Sequence, residues 1–389
     1  MCRKKRALML FLTLIAGLAV SAMITVRQLP DELVIHHSGS TQLNTFLPVS
    51  VEINDSHSDS AKAKLFGMVG VKDVGIRREE PKKVTLAGTL FGLRMYSDGV
   101  MVVGLSDFES NGKKVNPAKD SGISRGEIIR SANGRKIFSN EAFAKAVTES
   151  KGALTLELIG KGGQARSVKL TPVNSDSDGC LKTGMWVRDS AAGIGTLTYV
   201  DPATGKFGGL GHGICDADTH EIVPLHDGEI VSARISSIRR GVRGYAGEIR
   251  GYLTEDELGT LESNTLCGAF GKYTSELHKK KQYDVALKQE VRQGKAKILC
   301  TVTSDGQPRL YAIVIERINY SGDPAKNMII TVTDEKLLAE TGGIIQGMSG
   351  SPLIQNGKFV GAVTHVFVND PTSGYAIFAE NMLCHQNDR

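Results

Sequence analysis

An uncharged, mostly apolar stretch at the N-terminus, residues 7–26, places the strongest constraint on how this chain can fold. It is 20 residues long (26 − 7 + 1) and directly follows four consecutive basic residues. At about 1.5 Å of rise per residue, such a helix is long enough to cross a bilayer. Because basic residues stay on the cytoplasmic side, the pattern predicts a basic cytoplasmic tail over 1–6, a transmembrane anchor over 7–26 and an extracytoplasmic remainder. A cleaved signal peptide, with Val20-Ser21-Ala22 before the cut, is the alternative, and the apolar residues after Ala22 favour the anchor.

The composition favours β-structure and excludes some classes of function. The chain has 44 glycines, only 6% aromatic residues and short apolar runs, as in β-rich domains with many turns. The net charge is +5 and no long basic run occurs beyond the N-terminus, so a nucleic-acid partner is not expected. His36 and His37 are interpreted as a surface pair rather than metal ligands, and the six cysteines contain no CxxC pair. The sequence therefore predicts neither a metal nor another cofactor.

The first part of the chain after the anchor divides into two regions. Residues 27–81 alternate short apolar and polar runs and are interpreted as a linker or N-terminal region. Residues 82–173 have the pattern of one small α/β domain. Within it, Asn133-Gly134 predicts a tight hairpin turn, and Ser139 is the candidate N-cap of the helix that follows.

One string in this small domain, PAKDSGISRGEIIRSANGRKI, resembles a PDZ domain of the bacterial protease-associated type. The resemblance implies that an extended peptide adds as a strand beside the helix that begins after Ser139. It also implies that Phe91-Gly92-Leu93 takes the position of the carboxylate-binding loop. The alternative is a small α/β module that binds no peptide.

A second motif, G-M-S-G-S-P over residues 347–352, lies in the region 174–389. Glycine adopts backbone angles that other residues avoid, so a serine between glycines can occupy a tight turn with an exposed hydroxyl. Such a turn can also direct successive backbone N–H groups at one point, which is the geometry of an oxyanion hole. Ser349 is therefore a candidate nucleophile, and it requires a base and a group that orients the base.

A candidate base and a candidate acid both precede Ser349. His212 lies between two glycines at a predicted strand end, where a neutral imidazole is accessible and could take the serine proton. A turn histidine without catalytic role is the alternative. Asp334 ends an apolar strand pattern 15 residues before the serine (349 − 334), and its carboxylate could orient the imidazole. Aspartate is common at strand ends, so rivals remain open: the acids Asp256, Asp284 and Asp370, the base His365 and the nucleophile Cys215.

Two long strings, GIGTLTYVDPATGKFGGLGHGI and TVTDEKLLAETGGIIQGMSGSPLIQNGKFVGAVTHVFVNDPTSGY, resemble the SpoIVB peptidase family of endospore-forming bacteria. The resemblance implies a mainly β fold, with a chymotrypsin-like double β-barrel serine peptidase domain over 174–389. It implies His212 as the base, Asp334 as its acidic partner and Ser349 as the nucleophile. Similarity to the G-D-S-G-G-P of chymotrypsin-like enzymes implies an oxyanion hole made by the N–H groups of Gly347 and Ser349. Met348 replaces the aspartate that receives a freed N-terminus in trypsin-like enzymes, so that activation device is not expected.

The family resemblance further implies a role in sporulation. Enzymes of this family cross the forespore membrane into the space between the two sporulation membranes. They cleave themselves and a membrane-bound inhibitory complex, which permits an intramembrane protease to process a late sigma factor. The expected partners are thus protein and peptide substrates, the membrane, and the membrane-bound regulator of that protease. The competing hypothesis is a non-catalytic PDZ adaptor with a degenerate protease domain, against which the presence of His212, Asp334 and Ser349 argues.

Overall fold

The computed structural model describes residues 2–37, 39–53, 59–160, 162–275 and 281–386. Strands account for 53% of the structure, which confirms the prediction of a mainly β chain.

The N-terminal apolar stretch forms a single long helix, α1 (Cys2–Arg27). Its segment Leu8–Arg27 is long and apolar enough to cross a membrane, and most of its side chains are exposed. These properties fit either a membrane anchor or a signal sequence. The predicted basic tail is not a separate element, because the helix already begins at Cys2.

The region 27–81 folds into a five-stranded sheet with the order β1-β5-β4-β3-β2, so its interpretation as a linker is wrong. β1 and β5 are parallel, and the other neighbours are antiparallel. Val49, Val51 and Val74 are buried and belong to the same hydrophobic core as the C-terminal barrel described below. This shared core is what holds the sheet to the rest of the chain. The strands are β1 (Glu32–Ile35), β2 (Gly39–Leu43), β3 (Val49–Ile53), β4 (Ser60–Leu65) and β5 (Val69–Arg78).

A small α/β unit follows and has its own core, which includes Val100, Ile129, Phe143 and Leu156. The predicted local features are present: the Ser139 hydroxyl caps α3 by accepting the N–H of Ala142 at 3.1 Å. Asn133 and Gly134 both have positive φ, at 51° and 75°, as a tight hairpin turn requires. The elements are β6 (Lys83–Leu105), β7 (Phe108–Ser110), β8 (Lys113–Val115), α2 (Pro117–Asp120), β9 (Ile128–Ala132), β10 (Arg135–Lys136), α3 (Asn140–Thr148), β11 (Leu154–Ile159), β12 (Ala165–Leu170), β13 (Val173–Asn174) and β14 (Leu181–Lys182).

Five of the next six strands complete a first barrel with β6: the pairings form the ring β6-β15-β16-β19-β18-β17 and return to β6, while β20 pairs with β6 outside the ring. β6 is shared, because its first part pairs inside this ring and its last part pairs with β9 of the small unit. The predicted boundary between 173 and 174 therefore does not separate two units. The strands are β15 (Met185–Val200), β16 (Lys206–Gly209), β17 (Leu225–Arg239), β18 (Glu248–Thr265), β19 (Gly268–Tyr273) and β20 (Gln282–Asp284).

The segment Phe91-Gly92-Leu93 lies in the middle of β6 and is paired on both edges. Gly92 pairs with Ile194 of β15 on one side and with Val231 of β17 on the other. The Phe91 side chain is 0% exposed. A peptide can add only to a strand with a free edge, so the prediction that these residues bind a peptide is wrong.

The C-terminal strands form a second, closed barrel with the order β21-β22-β23-β26-β25-β24. A 3₁₀ turn, Lys288–Glu290, leads into it. The elements are β21 (Gly294–Cys300), β22 (Arg309–Ile318), β23 (Met328–Val332), α4 (Glu335–Thr341), β24 (Pro352–Gln355), β25 (Lys358–Phe367), β26 (Asp370–Phe378) and α5 (Ala379–His385). His212 thus lies in the loop after β16 of the first barrel, and Ser349 lies in the loop before β24 of the second.

Candidate active site

The loop that carries Ser349 is fastened to β15 of the first barrel by hydrogen bonds from two buried threonines. The Thr196 N–H donates to the Ser349 carbonyl at 2.9 Å, and the Thr196 hydroxyl donates to the Gly347 carbonyl at 2.8 Å. The Thr198 hydroxyl donates to the Gly350 carbonyl at 2.7 Å. Three carbonyls of the loop, at Gly347, Ser349 and Gly350, are therefore positioned by one strand of the neighbouring barrel.

Glycine at position 350 lets the two candidate catalytic loops touch. Gly350 has φ 94°, and a Cβ on it would lie 2.6 Å from the Leu210 nitrogen. Leu210 is only two residues before His212. A side chain at 350 would push the loops apart, so the G-x-S-G pattern is required for this approach as well as for the turn.

The two loops open into one cavity of about 650 Å³ between the barrels. His212, Ser349, His365 and Asp323 all line it. The predicted base and the predicted nucleophile are thus brought to the same cavity from positions 137 residues apart (349 − 212).

The Ser349 hydroxyl is half-buried and donates to the Thr364 carbonyl at 2.8 Å. Around it, the N–H groups of Met348, Gly350 and Ser351 donate to carbonyls of the protein. The N–H groups of Gly347 and Ser349 have no acceptor among the residues that the structure describes. Two unengaged donors beside a serine hydroxyl are what an oxyanion hole needs.

The environment of His212 fixes its tautomer. Its Nδ1 lies 2.9 Å from the Gly213 carbonyl, which can only accept a hydrogen bond. Neutral His212 therefore carries its proton on Nδ1 and keeps the lone pair on Nε2, the state that a general base needs. Burial lowers the pKa of His212 below its ordinary value, and the Gly213 hydrogen bond only partly offsets this.

A second imidazole, His365, lies against the first in the cavity wall. The two ring centroids are 4.9 Å apart, with a tilt of 36°. Partial burial, then the neighbouring His212 and Lys326, lower the pKa of His365 to about 4. Both rings are therefore neutral at neutral pH, so Nε2 of His212 can accept the proton of the Ser349 hydroxyl.

The structure does not bring Asp334 to His212. Asp334 is the N-cap of α4, where one carboxylate oxygen accepts the N–H groups of Lys336 and Leu337 at 3.1 and 3.2 Å. Its other oxygen accepts the Ala312 N–H at 3.1 Å. Burial raises the pKa of Asp334, but these backbone hydrogen bonds outweigh it and the pKa is lowered. The predicted contact between this carboxylate and the imidazole is not formed, because the carboxylate caps the helix that begins at Glu335.

Substitutions at Asp334 test this assignment. Asp334→Ala is expected to destabilise the protein by about 1 kcal/mol, because the cap of α4 is lost. Asp334→Ser keeps a capping oxygen but removes the charge, so it is expected to restore the melting temperature and to keep kcat within about threefold of wild type. If Asp334→Ser melted like wild type but lost 100-fold or more in kcat, the carboxylate would be acting on His212 after all.

Asp323, which was not among the predicted site residues, is the carboxylate that the structure places in the cavity. Its carboxylate accepts the Ala325 N–H at 3.0 Å and pairs with Lys326 at 2.9 Å. Burial raises the pKa of Asp323, whereas the hydrogen bonds from Lys326 and Ala325 lower it overall. The S-G-D-P turn over 321–324 was the available signal, but a turn aspartate carries no chemistry until its loop is placed.

The other rivals are resolved by position. Cys215 lines the cavity, but burial raises the pKa of its thiol, so it stays protonated and is a poor nucleophile. Asp256, Asp284 and Asp370 do not line the cavity. Among the described residues, no group of three or more His, Cys, Asp or Glu side chains is arranged to hold a metal ion.

The sequence was compared with known protein families, and the profile of one of them, described as SpoIVB peptidase S55, matches residues 179–383. That match covers 205 of the 389 residues (383 − 179 + 1) and includes both candidate catalytic loops. The chain belongs to the SpoIVB peptidase family. SpoIVB peptidases are serine peptidases, so the protein is a hydrolase that acts on peptide bonds in protein substrates, of the type found in sporulation. No curated protein matches the chain.

Proposed function

We propose that the protein is a membrane-anchored serine endopeptidase in which Ser349 is the nucleophile and His212 the general base. The observation that carries the proposal is the shared cavity. A serine hydroxyl with two unengaged N–H groups beside it and a neutral imidazole of the correct tautomer open into one space between the barrels. Those parts are sufficient for acyl transfer.

In the proposed acylation step, the Ser349 hydroxyl leaves the Thr364 carbonyl and turns toward His212. Its oxygen attacks the scissile carbonyl carbon while His212 Nε2 takes the hydroxyl proton. The carbonyl oxygen becomes an oxyanion and accepts hydrogen bonds from the N–H groups of Gly347 and Ser349. When the C–N bond breaks, the leaving amine takes the proton from His212, and an acyl ester on Ser349 remains.

In the proposed deacylation step, His212 takes a proton from water while the water oxygen attacks the ester carbonyl. The second oxyanion accepts the same two N–H groups, and its collapse returns the proton to Ser349 and releases the acid. The Gly213 carbonyl holds the imidazole tautomer throughout, which is the part that a carboxylate plays in a triad. The mechanism therefore needs no contact between Asp334 and His212.

The architecture supports finer assignments of the same proposal. Two six-stranded β-barrels, with the base in the first and the nucleophile in the second, favour a chymotrypsin-like fold. The small unit over β6 to β14, with its capped helix α3, favours a PDZ-like module. α1 then serves as the membrane anchor with its basic end in the cytoplasm, and the barrels lie outside, in the space between the two sporulation membranes. The membrane-bound regulator of an intramembrane protease is the proposed target, together with the chain itself.

Direct proteolysis tests this proposal against the adaptor hypothesis. The purified full chain in detergent micelles is expected to release discrete fragments of itself and to hydrolyse reduced, alkylated casein in the presence of a chelator. The chelator suppresses contaminating metalloproteases. A chain that stays whole and leaves casein intact over a day, while still binding peptides, would instead be the non-catalytic adaptor.

A further inference from the structure

One edge of β15 is free over its first half. β6 pairs with β15 from Met185 to Val200 along one edge. On the opposite edge, β16 pairs with β15 only from Leu197 onward. Within the described chain, no strand covers this edge between 185 and 195. An uncovered strand edge offers a row of N–H and C=O groups to another extended segment.

The downstream end of this edge reaches the catalytic cavity. Ala192 and Gly193 are exposed and line the cavity together with Ile194. The Thr196 N–H on the same edge already holds the Ser349 carbonyl. The N–H and C=O groups of a strand point alternately to its two edges, and the pairing of β15 with β6 is regular from Ser190 to Leu197. The N–H and C=O groups of Ala192 and Ile194 therefore point to the same free edge as the N–H of Thr196. A peptide that continues this edge therefore begins beside Ser349.

The upstream end of the same edge borders a second cavity, of about 450 Å³, between β14–β15 and α3. The Asn140 N–H donates to the Asp189 carboxylate at 2.8 Å, so α3 begins beside Asp189 and runs back along β15. The cavity wall is largely apolar, with Phe143, Val147 and Met185 among its residues. The 62% exposed Trp186 lies at its rim. An apolar side chain of an extended peptide fits this groove.

We propose that β15, although its pairing with β6 shifts register between Arg188 and Ser190, is a docking strand along which a substrate extends from Ser349 into the α3 groove. This inference rests on the proposed peptidase function and adds the recognition of the substrate. Every strand pair next to β15 is antiparallel, and an added segment continues that pattern. The substrate then runs opposite to β15, so the segment in the groove is the one that follows the scissile bond.

The strand sets a spacing between the cut and the anchoring residue. Val187, at the end of the groove, and Ile194, at the cavity, are seven residues apart (194 − 187). At about 3.3 Å per residue this is at most roughly 23 Å, because the register shift between Arg188 and Ser190 shortens the path, and an extended peptide spans it with a similar number of residues. Peptide bonds about 7 to 10 residues before an apolar anchor are therefore the preferred sites of cleavage.

The test is cleavage of a diverse mixture of unstructured 20-residue peptides by the full chain in micelles, with the cut positions read by mass spectrometry. For wild type, cuts are expected to cluster at that spacing before an apolar residue. Ala144→Trp fills the groove from an exposed position of α3 and is expected to abolish the clustering. Lys145→Trp places the same side chain on α3 outside the groove and is expected to preserve it. Random spacing in wild type, or clustering retained in Ala144→Trp, would overturn the proposal.

Two readouts separate this inference from the peptidase assignment. Peptides that end two or three residues after the cut do not reach the groove, so Ala144→Trp is expected to hydrolyse them at the wild-type rate. The Ser349→Ala protein is expected to bind the long peptides of the mixture without cleaving them. This binding is expected to slow amide hydrogen exchange over 185–195. If no peptide is hydrolysed, this exchange measurement still decides the docking proposal, and unchanged exchange would refute it.

Discussion

Replacing Ser349 by alanine is expected to lower peptide-bond hydrolysis by about 10⁴- to 10⁶-fold, which is the loss seen when one member of a cooperating catalytic set is removed. The fold is expected to survive. The hydroxyl makes one hydrogen bond, to the Thr364 carbonyl, and lies half-buried, so its removal costs about 1 kcal/mol or less of unfolding free energy. Initial rates with a quenched fluorescent peptide, together with the melting temperature, measure both effects.

Ser351 provides the matched control, since it lies in the same loop and loses the same atom. Its hydroxyl makes only a long hydrogen bond, 3.4 Å, to the Thr196 hydroxyl. Ser351→Ala is therefore expected to keep activity within about tenfold of wild type. Ser349 is not the nucleophile if Ser349→Ala retains more than about one hundredth of the wild-type rate, or if Ser351→Ala shows the large loss instead.

The pH profile is expected to identify His212 as the base. Only the neutral imidazole can take a proton, so kcat/KM rises with pH through the pKa of His212 and then reaches a plateau. Because burial lowers that pKa, the midpoint of the acid limb is expected below about 6.5, the ordinary value for histidine. His365→Gln is expected to keep the acid limb, whereas His212→Gln is expected to lose activity at every pH. Loss of the limb in His365→Gln would make His365 the base.

The same two histidines link stability to pH. Their pKa values are lowered in the folded protein, to about 4 for His365, so below about 6.5 the unfolded chain binds more protons than the folded one. The free energy of unfolding is therefore expected to rise with pH between about 4 and 6.5, with the full contribution present above that window. Either His→Gln change should make this slope shallower, as urea unfolding at a series of pH values would reveal.

Local patterns made some features predictable from the sequence alone. The long N-terminal apolar helix follows from hydropathy, and the hairpin turn at Asn133 follows from backbone sterics. The turns that carry Ser349 and His212 were predictable because both residues lie in glycine-rich segments, and glycine adopts the backbone angles that tight turns need. In each case the deciding physics acts within a few residues.

Features decided by tertiary contacts were not predictable. Gly88 and Gly92 both lie inside β6, which continues through them without a turn. A Cβ on Gly92 would lie 2.2 Å from the Leu253 side chain, which would then have to shift. Asp334 is predicted as the acid because it ends an apolar strand pattern and matches the acidic partner of the resembled family, although an aspartate before Glu335-Lys336-Leu337 is equally a helix N-cap. Asp323 lies in an S-G-D-P turn, and that pattern alone does not indicate chemistry, because the loop lines the cavity only in the folded protein.

The position of a fluorophosphonate adduct tests the central claim most directly. Such reagents phosphonylate a serine only where a base activates the hydroxyl and an oxyanion hole stabilises the phosphoryl oxygen. After treatment of the full chain in micelles, mass spectrometry of its proteolytic peptides is expected to locate a single adduct on Ser349, absent from His212→Gln. An adduct on Ser351 or Cys215, or an unlabelled Ser349 in a protein that hydrolyses peptides, would contradict the account.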